Sequence, residues 1–229
     1  MDKATRLQYL EAMGIDVWVP RVFTHPEHMT APDVSVDNAL PEIPTDTWEA
    51  LQAEVSPCTK CDLCKTRSQT VFGSGNKNAD WMFIGEGPGQ NEDQQGLPFV
   101  GNAGLLLTEM LRAIGLDREE VFIANIVKCR PPANRDPTPI EIDTCKPYLL
   151  RQIALVKPKI IVVLGRVAAQ ALLNTNEPLS KLRGKTYALN DTPVVVVYHP
   201  AYLLRTLLDK RKAWADLKLA LITYKNKKG

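Results

Sequence analysis

The chain has 229 residues, with 28 Lys or Arg against 26 Asp or Glu, a formal net charge of +2 and 45% hydrophobic residues. That length suits one domain with an appendage, and the composition excludes global disorder, collagen-like repeats and coiled coil. The near-zero charge argues against a histone-like polycation, and the longest apolar runs, Ile160 to Leu164 and Val194 to Val197, are too short to span a membrane. No secretory leader is read, so a cytoplasmic protein is expected, in which five cysteines point to metal or redox use rather than disulfides.

Charge is unevenly placed: residues 1–57 hold 10 acidic and 3 basic residues, and residues 58–229 hold 16 and 25, so a balance of −7 precedes one of +9. Leu7, Leu10 and Met13 recur at helical spacing, and Ile15 to Pro20 alternates as an extended segment. Residues 21–45 carry Pro26, Pro32, Pro41 and Pro44 without a periodic apolar face and read as a flexible linker. An extension over 1–45 and a folded domain over 46–229 are therefore expected. A helix is predicted from Asp46, with Trp48, Leu51 and Val55 on one face. Four strands are predicted at Asp80 to Gly85, Val121 to Ile126, Lys159 to Leu164 and Val194 to Tyr198. Helices are predicted at Gly104 to Ile114, at 139–155 with Thr138 as N-cap and Pro139 at N1, at Val167 to Leu173, and at 211–224. Apolar strands alternating with helices imply a parallel sheet covered on both faces, with its ligand at the carboxyl ends of the strands.

Those ends carry the unusual residues Gly85 to Gly89, Asn125, Gly165 and His199-Pro200, and the cysteines form a second set of candidates. Cys58 and Cys61 form a C-x2-C clip, and Cys129 with Cys145 supplies a second, wider pair. Four thiolates could hold zinc or an iron–sulfur cluster, and Cys64 extends the clip to a ferredoxin-type run, so spacing leaves it open as a ligand. Scattered buried thiols are the plainer alternative. Gly85-Glu86-Gly87-Pro88-Gly89 follows a strand but fails the dinucleotide fingerprint, because Gln90 stands where glycine is needed and the polar stretch from Gln90 to Asp93 delays the helix. Glu86, with Glu92 and Asp93 behind it, suits glycosidic chemistry, where a carboxylate steadies positive charge on the sugar and orients water. A solvated acidic loop is the alternative. Phe99, set between Pro98 and Gly101, is either a core residue or a stacking platform for a base. Asn125 interrupts an apolar strand; its amide is either satisfied internally or reads a lactam edge. His199 opens the run from His199 to Arg205, a turn that could expose Tyr202 or Leu203 beside a cation and pry into stacked bases.

Taken together, the glycine run from Gly85, the run Gly96 to Gly101, the run Asn125 to Pro132 and the His199 to Arg205 loop resemble the family-4, iron–sulfur branch of the uracil-DNA glycosylases. The resemblance covers about three quarters of the chain. It implies a three-layer α/β/α sandwich with a four-stranded central parallel sheet, and a 4Fe–4S cluster on Cys58, Cys61, Cys129 and Cys145 with Cys64 left over. It implies excision of uracil from DNA as a monomer, without membrane attachment, the base being flipped from the helix. Phe99 would stack on uracil, Asn125 would read its O4 and N3 edge, His199 would donate to O2, and Glu86 would position water. Gly85, Gly87, Gly89 and Glu92 would shape the pocket, Glu92 beside C5. Leu203 would enter the vacated stack from the minor-groove side and Arg205 would lie near phosphate. Glu86 and the lack of a histidine-bearing insertion separate the chain from sister branches, the second of which captures uracil-DNA covalently. A non-catalytic metal-bearing nucleic-acid-binding module and a nucleotide-cofactor enzyme are the competing classes. Leu10 to Trp18 resembles the N-terminal segment of the bacterial clamp-loader psi subunit, so residues 1–20 are read as a partner-binding element.

Overall fold

The structure, a computed structural model, describes residues 35–36 and 47–228, all within one compact unit, Ala31–Gly229. The amphipathic element read in residues 1–20 lies outside the described residues, as does the linker read at 21–45 apart from Ser35 and Val36. Among the described residues no helix is long and apolar enough to cross a membrane.

The described strands are β1 (Ser35–Val36), β2 (Ser74–Gly75), β3 (Trp81–Gly85), β4 (Phe122–Asn125), β5 (Ile160–Leu164), β6 (Thr186–Leu189) and β7 (Thr192–Val197). They form one 7-stranded sheet in the order β1-β6-β7-β5-β3-β4-β2. Its centre, β7-β5-β3-β4, is parallel throughout and consists of the four predicted strands. Three short strands that the sequence did not reveal extend it: β6 antiparallel to β7, β1 parallel to β6, and β2 antiparallel to β4.

The helices are α1 (Trp48–Val55), α2 (Gln90–Gln95), α3 (Asn102–Ala113), α4 (Pro139–Val156), α5 (Arg166–Leu173), α6 (Leu179–Leu182), α7 (Pro200–Arg205) and α8 (Lys210–Lys228). Strand alternation decides which of them covers which face. Met82, Ile84, Ile161, Val163, Val194 and Val196 pack under α1, α4 and α5. Trp81, Phe83, Val162, Leu164, Val195 and Val197 pack under α3 and α8 through Leu107, Leu111, Ala213 and Leu217. Each fully buried Val, Ile or Phe stabilises by about 1.5–3 kcal/mol, which is why these strands are apolar on both sides. Helix α4 starts where its sequence dictates. Thr138 accepts from the Glu141 amide, Glu141 Oε2 accepts from the Thr138 amide, and Pro139 fills the first helical position. Helix α2 corrects the expectation of a delayed helix. It begins directly at Gln90, capped by Gly89, and was illegible because all six of its residues are polar.

Candidate functional site

A cavity of about 450 Å³ opens at the carboxyl ends of the central strands, lined among others by Glu86, Phe99, Asn125, Asn134, Arg135 and His199. Strand β3 delivers Glu86, β4 ends on Asn125, and β7 leads through Tyr198 to His199. The Phe99 and His199 rings face each other with centroids 5.6 Å apart, tilted by 31°. Two glycines permit this convergence. A Cβ on Gly85 would lie 2.5 Å from Asn125 Oδ1 and 2.6 Å from Phe99 Cζ, and one on Gly104 of α3 would lie 1.8 Å from the Phe99 carbonyl oxygen. Phe99 itself sits at φ +54°, a left-handed conformation that costs a non-glycine residue about 1–3 kcal/mol and is sustained by that close seat on α3.

Electrostatics distinguish the polar groups. Burial pushes the Glu86 carboxyl up to about 7, reinforced by the nearby negative charge of Asp136 and opposed by Arg166. Burial also pulls His199 down to about 4, the charge of Arg205 adding to it and that of Glu92 opposing. His199 Nδ1 accepts from the Ala201 amide at 3.1 Å. A neutral imidazole whose Nδ1 accepts carries its proton on Nε2, so the ring is a donor at that nitrogen. Asn125 is 2% exposed, and its Oδ1 is a buried side-chain atom without a hydrogen-bond partner among the described residues. Such an orphaned acceptor is costly unless something else supplies the donor.

Gly87, Gly89, Glu92, Tyr202 and Arg205 also line the cavity, while Gly85 backs Asn125 and Phe99 from the end of β3. Glu92 Oε1 accepts from the Val100 and Gly101 amides at 2.9 Å each, which fixes the loop that carries Phe99. Asp93 departs from the expectation of a carboxylate at the ligand edge. It is buried and accepts the Ser68 amide on both oxygens, at 2.9 and 3.0 Å. Leu203 departs from its expected exposure: it is 1% exposed and packs in the α3–α8 core. Tyr202 is held by its hydroxyl on Asp209 Oδ2 at 2.6 Å and stacks on Tyr198 at 4.9 Å. The leucines that this segment exposes are Leu204, Leu207 at 63% and Leu208 at 83%. Sequence reasoning also missed Asn134 and Arg135. Their signal was polarity in the loop that leaves β4 at the ligand edge.

Behind β4, Cys58, Cys61, Cys129 and Cys145 line a second, small cavity, while Cys64 stands in the 3-10 turn Asp62–Lys65 and does not line it. Arg67 Nη1 donates to Cys129 Sγ at 2.9 Å, the Lys128 amide to Cys145 Sγ at 3.2 Å, and the Tyr148 hydroxyl to Cys58 Sγ at 3.3 Å. None of the five cysteines forms a disulfide. Among the described residues no three His, Cys, Asp or Glu side chains close tightly enough for a single metal ion. Donors aimed at three of the four sulfurs suit electron-rich thiolates, the form in which cysteine holds zinc or an iron–sulfur cluster.

With a carboxylate, an amide, an aromatic ring and a neutral histidine converging at the ends of the parallel central strands, the chain also has relatives among known proteins. Residues 72–218 match the uracil DNA glycosylase superfamily. A type-4 uracil-DNA glycosylase of Archaeoglobus fulgidus is 49% identical over 167 residues, 69% of this chain and 84% of that protein. One of Thermotoga maritima is 45% identical over 162 residues, 70% of this chain and 84% of that protein. A type-5 enzyme of Thermus thermophilus is more distant, 31% identical over 121 residues and 46% of this chain. The chain belongs to the uracil DNA glycosylase superfamily, and within it to the type-4 uracil-DNA glycosylases.

Proposed function

We infer that this protein hydrolyses the N-glycosidic bond of deoxyuridine in DNA, releasing uracil and leaving an abasic site for repair. The observation that carries this is the convergence of Glu86, Phe99, Asn125 and a neutral His199 on one cavity, in a chain 49% identical to a type-4 enzyme. A base inside a duplex is out of reach of such a cavity, so it must be flipped out. Phe99 stacks on it. The unpartnered Asn125 Oδ1 accepts from uracil N3–H and its amide nitrogen donates to O4, whereas cytosine offers an acceptor and a donor in the reversed places. His199 Nε2–H donates to O2, where negative charge grows as uracilate departs. Glu86 in its ionised form orients water and steadies the oxocarbenium-like sugar. Glu92 occupies the space beside C5 and so excludes a methyl group there.

The cysteine cavity is read as the seat of a 4Fe–4S cluster held by Cys58, Cys61, Cys129 and Cys145. When bound it supplies a structural clasp, and hydrolysis requires no electron from it. The clasp joins the loop after α1, the exit of β4 and helix α4.

The test is release of uracil from an oligonucleotide containing one uracil, followed by alkaline cleavage at the abasic site. Excision is expected to rise roughly tenfold per pH unit up to about pH 7 and then level, because Glu86 must ionise. Because the folded-state pKa of Glu86 lies above the ordinary 4.5, its ionisation costs stability increasingly as pH climbs from 4.5 towards 7. Glu86→Gln is therefore expected to remove the pH limb, slow excision and raise the melting temperature at pH 8. DNA retained on denatured protein with no free uracil would instead identify a covalent capture protein, and a wild type that neither releases nor retains would leave only a binding module.

Leu207 and Leu208 are read as the wedge. They lead a 3-10 turn, Leu207–Asp209, that Asp209 fastens to Tyr202 and Lys212, and Lys210 and Arg211 follow it for phosphate. Replacing both leucines with alanine is expected to slow excision from duplex DNA about tenfold, since unstacking costs a few kcal/mol, while sparing single strands that have no stack to enter. Equal losses on both substrates would remove this assignment.

A further inference from the structure

We propose that Lys128 is a positioning residue that sets the base-reading amide of Asn125. This rests on the function inferred above. Lys128 is 1% exposed, the one fully buried lysine among the described residues. Burying an ammonium is expensive unless hydrogen bonds compensate it. Its Nζ donates to the Asn125 main-chain oxygen at 2.8 Å and to Gln152 Oε1 at 2.6 Å, and Gln152 Nε2 donates to the Phe72 main-chain oxygen at 2.8 Å.

The sheet explains why this relay exists. Strand β2 pairs with β4 only through Ser74 opposite Ile123 and Gly75 opposite Phe122. Continued along both chains, that register sets Phe72 opposite Asn125, where the ladder has already stopped. Two main-chain oxygens are left there to be satisfied, and the Lys128–Gln152 pair supplies the donors that a strand would have supplied. On the other side the chain is pinned to β3, the Ile126 amide on Gly85 O at 2.9 Å and the Val127 amide on Glu86 O at 3.1 Å. The Lys128 oxygen in turn accepts from the Val71 amide at 2.7 Å. The Asn125 side chain has no partner of its own at Oδ1, so its aim into the cavity depends on how firmly its main chain is held. Lys128 touches neither base nor sugar and acts only through Asn125.

The test uses the iron-loaded full chain carrying Lys128→Met, with kcat and KM measured on a single-uracil oligonucleotide and free uracil titrated as a competitive inhibitor. Losing a charge-assisted hydrogen bond at this point is expected to weaken inhibition by free uracil about tenfold and to lower kcat/KM by at least as much, with iron content unchanged. A merely structural lysine would lower the melting temperature and leave the uracil inhibition constant of the folded enzyme where it was, and that result overturns the proposal. Should Lys128→Met fail to fold, Gln152→Leu frees one end of the relay, and a several-fold weaker inhibition by uracil is expected of it. A wild-type inhibition constant there overturns the proposal equally. Absence of uracil release by the wild type would instead strike the underlying function.

Discussion

Replacing His199 with alanine is expected to cut single-turnover release of uracil by about 10²- to 10³-fold, the usual cost of removing one preorganised donor to a developing anion. The geometry makes that donor unusually well prepared. Burial keeps the imidazole neutral down to about pH 4, and the Ala201 amide occupies Nδ1, so Nε2 carries its proton before substrate arrives. A neutral donor has an advantage here: an imidazolium at this depth would pay desolvation without a carboxylate partner. The loss should appear in kcat, because O2 carries little extra charge in the ground state, and folding should be intact, since among the described residues the side-chain hydrogen bond forfeited is the cap on a six-residue helix. Single-turnover assays on duplex DNA, with circular dichroism as the folding control, decide the matter. Rates within a few-fold of wild type would remove His199 from the chemistry.

Replacing Cys145 with serine is expected to abolish both the visible absorption of the proposed cluster and most of the folded protein. Cys145 is buried on α4 and receives the Lys128 amide on its sulfur. Ligation of a structural metal by thiolates contributes on the order of 10 kcal/mol to folding, against a net stability of about 5–15 kcal/mol for a domain. A three-thiolate remnant would leave buried sulfurs, Arg67 and Lys128 around an unfilled clasp. Cys64→Ser, outside that cavity, is the control and should keep iron, colour and activity. Iron and labile sulfide analysis with thermal melts separates the two variants. Purification of colourless wild type with stoichiometric zinc would overturn the cluster assignment while leaving the four ligands in place.

What could be read in the sequence follows a physical rule. The four central strands were legible because both their faces are buried, which forces unbroken apolar runs, and α4 because Thr138, Pro139 and Glu141 write its start. Strand β6 was not, since three of its four residues are half-buried and their side chains give no clean alternation. The cavity residues were recognisable from motif and position, yet Glu92 and Asp93, adjacent in sequence, differ wholly in role, because successive helical side chains diverge by about 100°. The leucine misreading has the same origin. Two Leu-Leu pairs lie within six residues, and only the turn of α7 decides that Leu203 faces the core. Lys128 was invisible for the opposite reason: a lysine after an apolar strand ordinarily points to solvent, and its burial depends on where β2 stops.

The close approach at Gly85 also restricts how this pocket can evolve. Any side chain there meets both Asn125 and Phe99, the two groups proposed to recognise the base, so the floor admits no stepwise enlargement or contraction. Gly104 closes the other route by which Phe99 could shift. New base preferences are more accessible from the rim, where Asn134 and Arg135 stand on the loop after β4, than at Glu92, whose carboxylate holds the loop that carries Phe99.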